Sequence, residues 1–228
     1  MVDNLSEIQS QHADIMTRIA QAAKHVNRKA QDIELVAVSK VQPDERVETL
    51  LGLGHAIYGE NRVQEAQTRW GERFKGERKN IELRLIGPLQ SNKVEDAVHL
   101  FDVIETIDRE KLLKALVKLR EAGVLLPRLY VQVNTGEETQ KSGVLPKDLP
   151  DFITLMRDTY NLKPEGVTCI PPLKEAASPH FWLLRKLAGD VGVERLSMGM
   201  SGDFETAIKM GASSIRVGSA LFGDRKPS

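Results

Sequence analysis

A single cysteine, Cys169, stands among 228 residues, so no intrachain disulfide can staple the fold. Such sparing use of cysteine suits a reducing compartment, and a cytoplasmic protein is expected. Net charge is also missing, because 32 basic side chains balance 32 acidic ones. That balance leaves no electrostatic footprint for nucleic acid or for an anionic membrane surface. No uninterrupted apolar stretch approaches the roughly 20 residues a membrane span needs. The start, Met1-Val2-Asp3-Asn4, lacks the basic-then-apolar layout of a signal peptide. No long linker, charge block or low-complexity tract interrupts the chain, and no metal cluster is expected. One domain over residues 1–228 is expected, with residues 1–31 as an N-terminal helical extension.

What is present is enough apolar material for a sizeable core, 41% of the chain. Residues 4–27 read as an amphipathic helix, with Leu5, Ile8, Ile15, Ile19, Ala22 and Val26 at three- and four-residue steps. Short apolar runs rich in β-branched residues follow near 35–39, 55–59, 82–87, 102–107, 128–134, 165–170, 195–200 and 214–218. Helical patterns lie between them, such as Asp108 to Ala122 with Gly123 as its C-terminal cap. Eight strands alternating with helices at a spacing of about 26 residues point to an α/β protein with one (β/α)8 TIM-type barrel. A doubly wound open sheet is the alternative.

In such a barrel, chemistry collects at the C-terminal ends of the strands. Lys40 closes the first run, Leu35-Val36-Ala37-Val38-Ser39-Lys40, and would share an inner face with Val36 and Val38. A desolvated amine there can attack an aldehyde to form a Schiff base; a lysine that only flanks the strand is the plainer reading. In the fifth run, Tyr130, Gln132 and Asn134 share one face. If that face is inner, its polar groups need partners, which water or a ligand could supply; if the strand is reversed, they face the helices. Ser201 reads as a helix N-cap after Leu196 to Met200, and Gly202 would let backbone approach a ligand, so the helix start forms an anion site. Ordinary glycine turns would look the same. Arg216 alternates with Ile215 and Val217, which turns it inward, where it must be paired or solvated. A Schiff-base lysine, a phosphate cradle and a fixed cation at one barrel end fit an aldehyde-bearing phosphate with a polar ring, such as pyridoxal 5′-phosphate (PLP).

Seven segments in order carry a family resemblance. They are Val36 to Lys40, Gly59-Glu60-Asn61, Ile86 to Lys93, Lys141-Ser142-Gly143, Ile170-Pro171-Pro172, Leu196 to Ser201 and Ile215 to Gly223. Together they resemble the YggS/PROSC group, the pyridoxal phosphate homeostasis proteins, over residues 4 to 224. The resemblance implies a barrel like the N-terminal domain of alanine racemase, with Lys40 holding PLP as an internal aldimine. It places Ser201, Gly218 and Ser219 at the phosphate and Arg216 at the pyridine nitrogen. Asn61, Met198 and the Pro88 to Lys93 loop would lie near the cofactor. Two positions depart from the pattern. Val41-Gln42-Pro43 replaces Thr-Lys-Pro after the lysine, and Arg84 stands where histidine is usual. Arg84 would add a second inner cation, raising affinity for anions or shifting the proton balance of the Schiff base.

A permanently charged Arg216 would keep the pyridine nitrogen unprotonated and weaken carbanion chemistry. The related racemase draws a second acid–base tyrosine from a C-terminal domain for which this chain, ending at Ser228, has no room. Tyr58 and Tyr130 are not evident replacements. The expectation is therefore a non-catalytic, monomeric PLP carrier or buffer in vitamin B6 and amino-acid homeostasis, with PLP-dependent apoenzymes as partners. A small amino acid racemase, a colourless aldolase-like barrel and an interaction module remain the alternatives. Cys169 is expected to be a buried, inert thiol.

Overall fold

A computed structural model describes residues 4–223; the ends of the expected 1–228 span, residues 1–3 and 224–228, lie outside the described residues. The eight β-branched runs become β1 (Glu34–Val38), β2 (Ile57–Glu60), β3 (Glu82–Leu85), β4 (Val103–Ile107), β5 (Arg128–Val133), β6 (Pro164–Cys169), β7 (Arg195–Ser197) and β8 (Ser214–Val217). All pair in parallel and in chain order, and β8 closes on β1 with Val36 opposite Arg216. Closure removes every sheet edge and excludes the open sheet.

Alternation along the strands divides their side chains. Leu35, Ala37, Leu129, Val131, Val133, Val167, Leu196, Ile215 and Val217 join the apolar layer between strands and helices. Val36, Val38, Tyr130, Gln132 and Arg216 are buried apart from that layer, inside the barrel. Helices follow the strands as α2 (Asp44–Gly52), α3 (Val63–Ala66), α4 (Val94–Leu100), α5 (Glu110–Glu121), α6 (Leu149–Thr154), α7 (Ala177–Asp190), α8 (Phe204–Lys209) and α9 (Ser219–Phe222). One π-helical segment, Gln67–Arg73, directly continues α3. Gly123 stops α5 at φ +84°, the left-handed cap its sequence suggests.

The first helix, α1 (Asn4–His25), buries Ile8, Ile15 and Ile19 almost completely. Each such burial stabilises by roughly 1.5–3 kcal/mol. It packs against α2, α8 and α9, the helices after β1, β7 and β8. With four residues, α9 is too short to cover the seam where the last strand meets the first, so α1 supplies that cover. Residues 4–25 are thus built into the fold. Two members of the expected apolar stripe depart from it: Leu5 is exposed at the helix start, and Val26 lies in the turn after α1 and is only partly buried.

The N-terminal mouth of the barrel is closed by charge. Glu34 pairs with Arg84 and Arg195, Arg84 with Glu82, Glu82 with Arg128, and both Arg128 and Arg195 with Glu165. The result is a ring of three carboxylates alternating with three guanidinium groups. Burial pushes the Glu34 carboxyl up, but Arg84 and Arg195 outweigh it and hold the group below its usual range. Arg84 is fully buried and meets a third carboxylate, Glu105, at 3.2 Å. It is therefore a neutralised member of the barrel floor, which corrects the expectation of an anion-attracting second cation.

Candidate functional site

Arg216 sits on the middle of β8 with its side chain 5% exposed. Its Nη1 donates to Thr168 Oγ1 at 2.9 Å and to Ser197 Oγ at 2.7 Å, and Nη2 donates to the Cys169 carbonyl at 2.8 Å. Ser197 in turn donates to Glu105 Oε2 at 2.6 Å, which lies 3.8 Å from the guanidinium. Glu105 therefore links the floor to Arg216 and supplies the counter-charge a buried arginine needs. These contacts lock the guanidinium plane, while Nε and the second N–H of Nη2 have no part in them.

Above Arg216, three groups converge from β7 and β8. Ser201 Oγ accepts hydrogen bonds from the Gly218 amide at 3.2 Å and the Ala220 amide at 3.3 Å. Ser219 lies between them, exposed at the first residue of α9. Ser201 is not the N-cap of α8, because Asp203 holds that position and its Oδ1 accepts from the Met200 amide at 2.6 Å. The expected anion site thus moves from the start of α8 to the Gly218–Ala220 backbone, with the Ser201 hydroxyl beside it. Gly199 sets the turn after β7: its φ is +92°, and a Cβ there would come within 2.5 Å of the Ala207 Cβ. Its carbonyl accepts from the Arg216 amide at 2.9 Å, tying that turn to β8.

Lys40 is half-buried, two residues beyond β1 and one inward position above Val38. Val38 also touches the backbone at Gly218, where a Cβ would lie 3.4 Å from the valine Cβ. Lys40, Ser201, Gly218 and Arg216 therefore share the C-terminal half of the barrel. Asn61 follows β2 beside the C-terminal mouth and its backbone packs so closely on Gly87 that a Cβ there would sit 2.2 Å from the Asn61 carbonyl. Met198 is placed differently, fully buried in the apolar layer behind β7.

The Lys40 turn is strained. The Gln42 amide donates to the Ser39 carbonyl at 3.1 Å, so Lys40 and Val41 form the corner. Val41 has φ +60°, a left-handed conformation that β-branched residues avoid, at a cost of roughly 1–3 kcal/mol. Behind this corner, the Glu60 carboxylate is buried, with Oε1 accepting from Ser39 Oγ at 2.7 Å and Oε2 lacking a hydrogen-bond partner. Burial pushes its proton affinity up, only partly offset by Arg69.

The polar inner face of β5 finds its partners in the chain itself. Gln132 Nε2 donates to the Ser142 carbonyl at 3.1 Å, and Asn134 Nδ2 to the Glu138 carbonyl at 2.9 Å. The segment between β5 and α6 folds back to meet them, so the chain supplies partners that water or a ligand could also have supplied. Cys169 is fully buried and burial pushes its thiol up to about 12, so it is inert. A cavity of about 720 Å³ opens at the opposite end of the barrel, near Leu125, Pro127 and Arg195, and contains none of these groups. The mouth is the site because its groups are chemically complementary. It gathers amides on a hydroxyl at one side, with a fixed donor at depth and the turn that carries Lys40 on the neighbouring strand.

Glu105, Ser197 and Thr168 were legible as polar residues alternating within apolar runs, a pattern that marks inner-face positions. Arg69, which bonds to the Lys40 turn, had no such signal, because its partners come from other elements.

Residues 14–226 match the family of the alanine racemase N-terminal domain. A pyridoxal phosphate homeostasis protein of Pseudomonas aeruginosa is 37% identical over 226 residues, spanning 97% of both chains. The structure of PipY from Synechococcus elongatus with PLP bound superposes with a TM-score of 0.77 at 30% identity, over 90% of this chain and all of that one. An alanine racemase of Corynebacterium glutamicum shares the fold at TM-score 0.69 and 16% identity, with 98% of this chain matching 62% of that one.

Proposed function

Because the chain belongs to the alanine racemase N-terminal domain family and, within it, to the pyridoxal phosphate homeostasis proteins, we propose that it binds PLP and acts in vitamin B6 homeostasis as a carrier or buffer of that cofactor. The observation that carries the reading is the convergence of the Gly218 and Ala220 amides on Ser201 Oγ, in the same mouth as Lys40 and inward Arg216. The donor set fits the group: backbone amides and a hydroxyl for a phosphate, and a guanidinium for a ring nitrogen that accepts.

In this reading, Ser201, Gly218 and Ser219 hold the phosphate. Arg216 donates to the pyridine nitrogen and, having no proton to give up near neutral pH, leaves it unprotonated. Lys40 makes the covalent attachment, with Asn61 flanking it and Met198 backing the β7 turn. When bound, PLP supplies an aldehyde that condenses with a primary amine. The chain's own residues keep that aldehyde attached and its ring nitrogen neutral, which suits safe storage better than turnover. We further read the protein as a single domain over residues 1–228, a monomer, and a donor to PLP-dependent apoenzymes.

The test is the absorbance spectrum of wild type and Lys40→Ala with PLP, before and after borohydride, followed by peptide mass mapping. A yellow wild type with a pyridoxyl mass on Lys40, absent from the variant, is expected. A wild type that takes up no PLP, or carries it elsewhere, would overturn the reading.

A further inference from the structure

We propose that Arg69 is the positioning residue for Lys40, clamping both ends of the turn that carries the lysine. The inference rests on the reading of Lys40 as the residue that binds PLP. Arg69 comes from the π-helical segment after α3, and its side chain is 14% exposed. Its Nη1 donates to the Ser39 carbonyl and its Nη2 to the Gln42 carbonyl, both at 2.5 Å. One planar group thus brackets Lys40 from the residue before it to the residue two beyond.

The guanidinium is itself held. Nε donates to Asp44 Oδ1 and Nη1 to Glu60 Oε1, each at 2.9 Å. Arg73 steadies the other Asp44 oxygen at 2.9 Å, and Trp70 Nε1 donates to Glu60 Oε1 at 3.2 Å. Four acceptors therefore surround one fork. A lysine at this position could not satisfy them, because an ammonium is a compact point charge without the fork geometry.

The turn needs such a clamp. A turn with a positive φ at its third residue favours glycine or asparagine there, and this one carries valine. Val41 is 64% exposed, so little packing compensates for its conformation. The restraint comes instead through the two carbonyls that Arg69 grips. Releasing that grip lets the corner relax, and relaxation swings the Lys40 amine away from the direction set by β1. The unusual Val41-Gln42 sequence and Arg69 are thus two halves of one device.

The experiment compares wild type, Arg69→Gln, Asp44→Asn and Arg69→Gln/Val41→Gly. It measures the PLP release rate, the pH midpoint of the Lys40-bound absorbance band, and amide exchange across residues 39–43 in cofactor-free protein. Arg69→Gln is expected to release PLP at least tenfold faster, to shift the pH midpoint, and to speed exchange at 39–43 while unfolding cooperatively in urea. Asp44→Asn, which weakens the clamp without removing it, is expected to move all three in the same direction by less. It carries the test if Arg69→Gln does not fold. Glycine at 41 relieves the strain, so the double variant is expected to regain at least threefold in retention. Release, midpoint and exchange unchanged in folded Arg69→Gln or in Asp44→Asn would overturn the proposal, as would a double variant no better than Arg69→Gln alone. A wild type without PLP on Lys40 overturns the reading of the site instead, and exchange at 39–43 then still decides whether Arg69 holds the turn.

Discussion

Glu105 shows how one residue can join two halves of a barrel. It lies fully inside β4, touching Arg84 below and, through Ser197, Arg216 above. Removing one partner of a buried ion pair leaves the other charge uncompensated, which costs about 3 kcal/mol or more. Glu105→Gln keeps the shape and removes the charge. We expect it to lower the urea-unfolding free energy by about 3 kcal/mol and to weaken PLP binding as well, because one amide oxygen cannot accept from both Arg84 and Ser197, and Ser197 is thereby less firmly oriented toward Arg216. Equilibrium unfolding and a PLP titration on the same preparation check both parts; a stability loss with unchanged PLP affinity would disconnect Glu105 from the site.

Element by element, α1 is where pH should matter most. His12 of α1 stacks edge-on against His55, with ring centroids 5.4 Å apart, and His55 meets Tyr58 in the same way. Burial, followed by the nearby His12, lowers His55 to about 4 from an ordinary 6.5, and burial lowers His12 too. The unfolded chain takes up the His55 proton near pH 6.5, whereas the folded protein resists until about pH 4. Folding stability contributed by neutral His55 is thus intact above pH 6.5 and is lost as pH falls toward 4, by up to about 3 kcal/mol. We expect wild type to weaken between pH 7 and pH 5 in urea titrations. His55→Gln, which cannot titrate, should show a flatter profile over that range. Equal slopes would show that the histidine pair is not the acid-sensitive contact of α1.

The distribution of tyrosines over the whole molecule bears on turnover. Two-base racemisation needs an acid–base group facing Lys40 across the substrate. Tyr58 is fully buried on the outer side of β2 with its ring 4.8 Å from Trp70. Tyr130 lies inside the barrel, its hydroxyl accepting from Arg195 at the opposite end. Its ring fits only because Gly166 has no Cβ, which would lie 2.2 Å away. Tyr160 bonds Glu110 on the surface. None of the three faces Lys40. We therefore expect PLP-loaded protein to leave the chirality of alanine and serine unchanged over hours, as read by chiral chromatography. Robust interconversion would replace the carrier reading with a racemase.

Periodicity and residue type alone determined the eight strands, the amphipathic α1 and the inward direction of Arg216, while the face of β5 stayed open until the barrel closed. Those features follow from alternation and helical spacing, which are local and survive without knowledge of neighbours. Ordered motifs such as Leu196 to Ser201 and Ile215 to Gly223 also made the family legible. Tertiary structure decided the rest, because partners distant in sequence are chosen by closure. Arg84 looked like an anion attractor until three carboxylates from β1, β3 and β4 met it. Ser201 looked like a cap until β8 brought two amides to its hydroxyl. Arg69 carried no signal at all, since the carbonyls and carboxylates it grips converge only when α3 docks beside β1 and β2. A charge's meaning depends on what neutralises it, and the carboxylates that neutralise Arg84 lie up to 50 residues away along the chain.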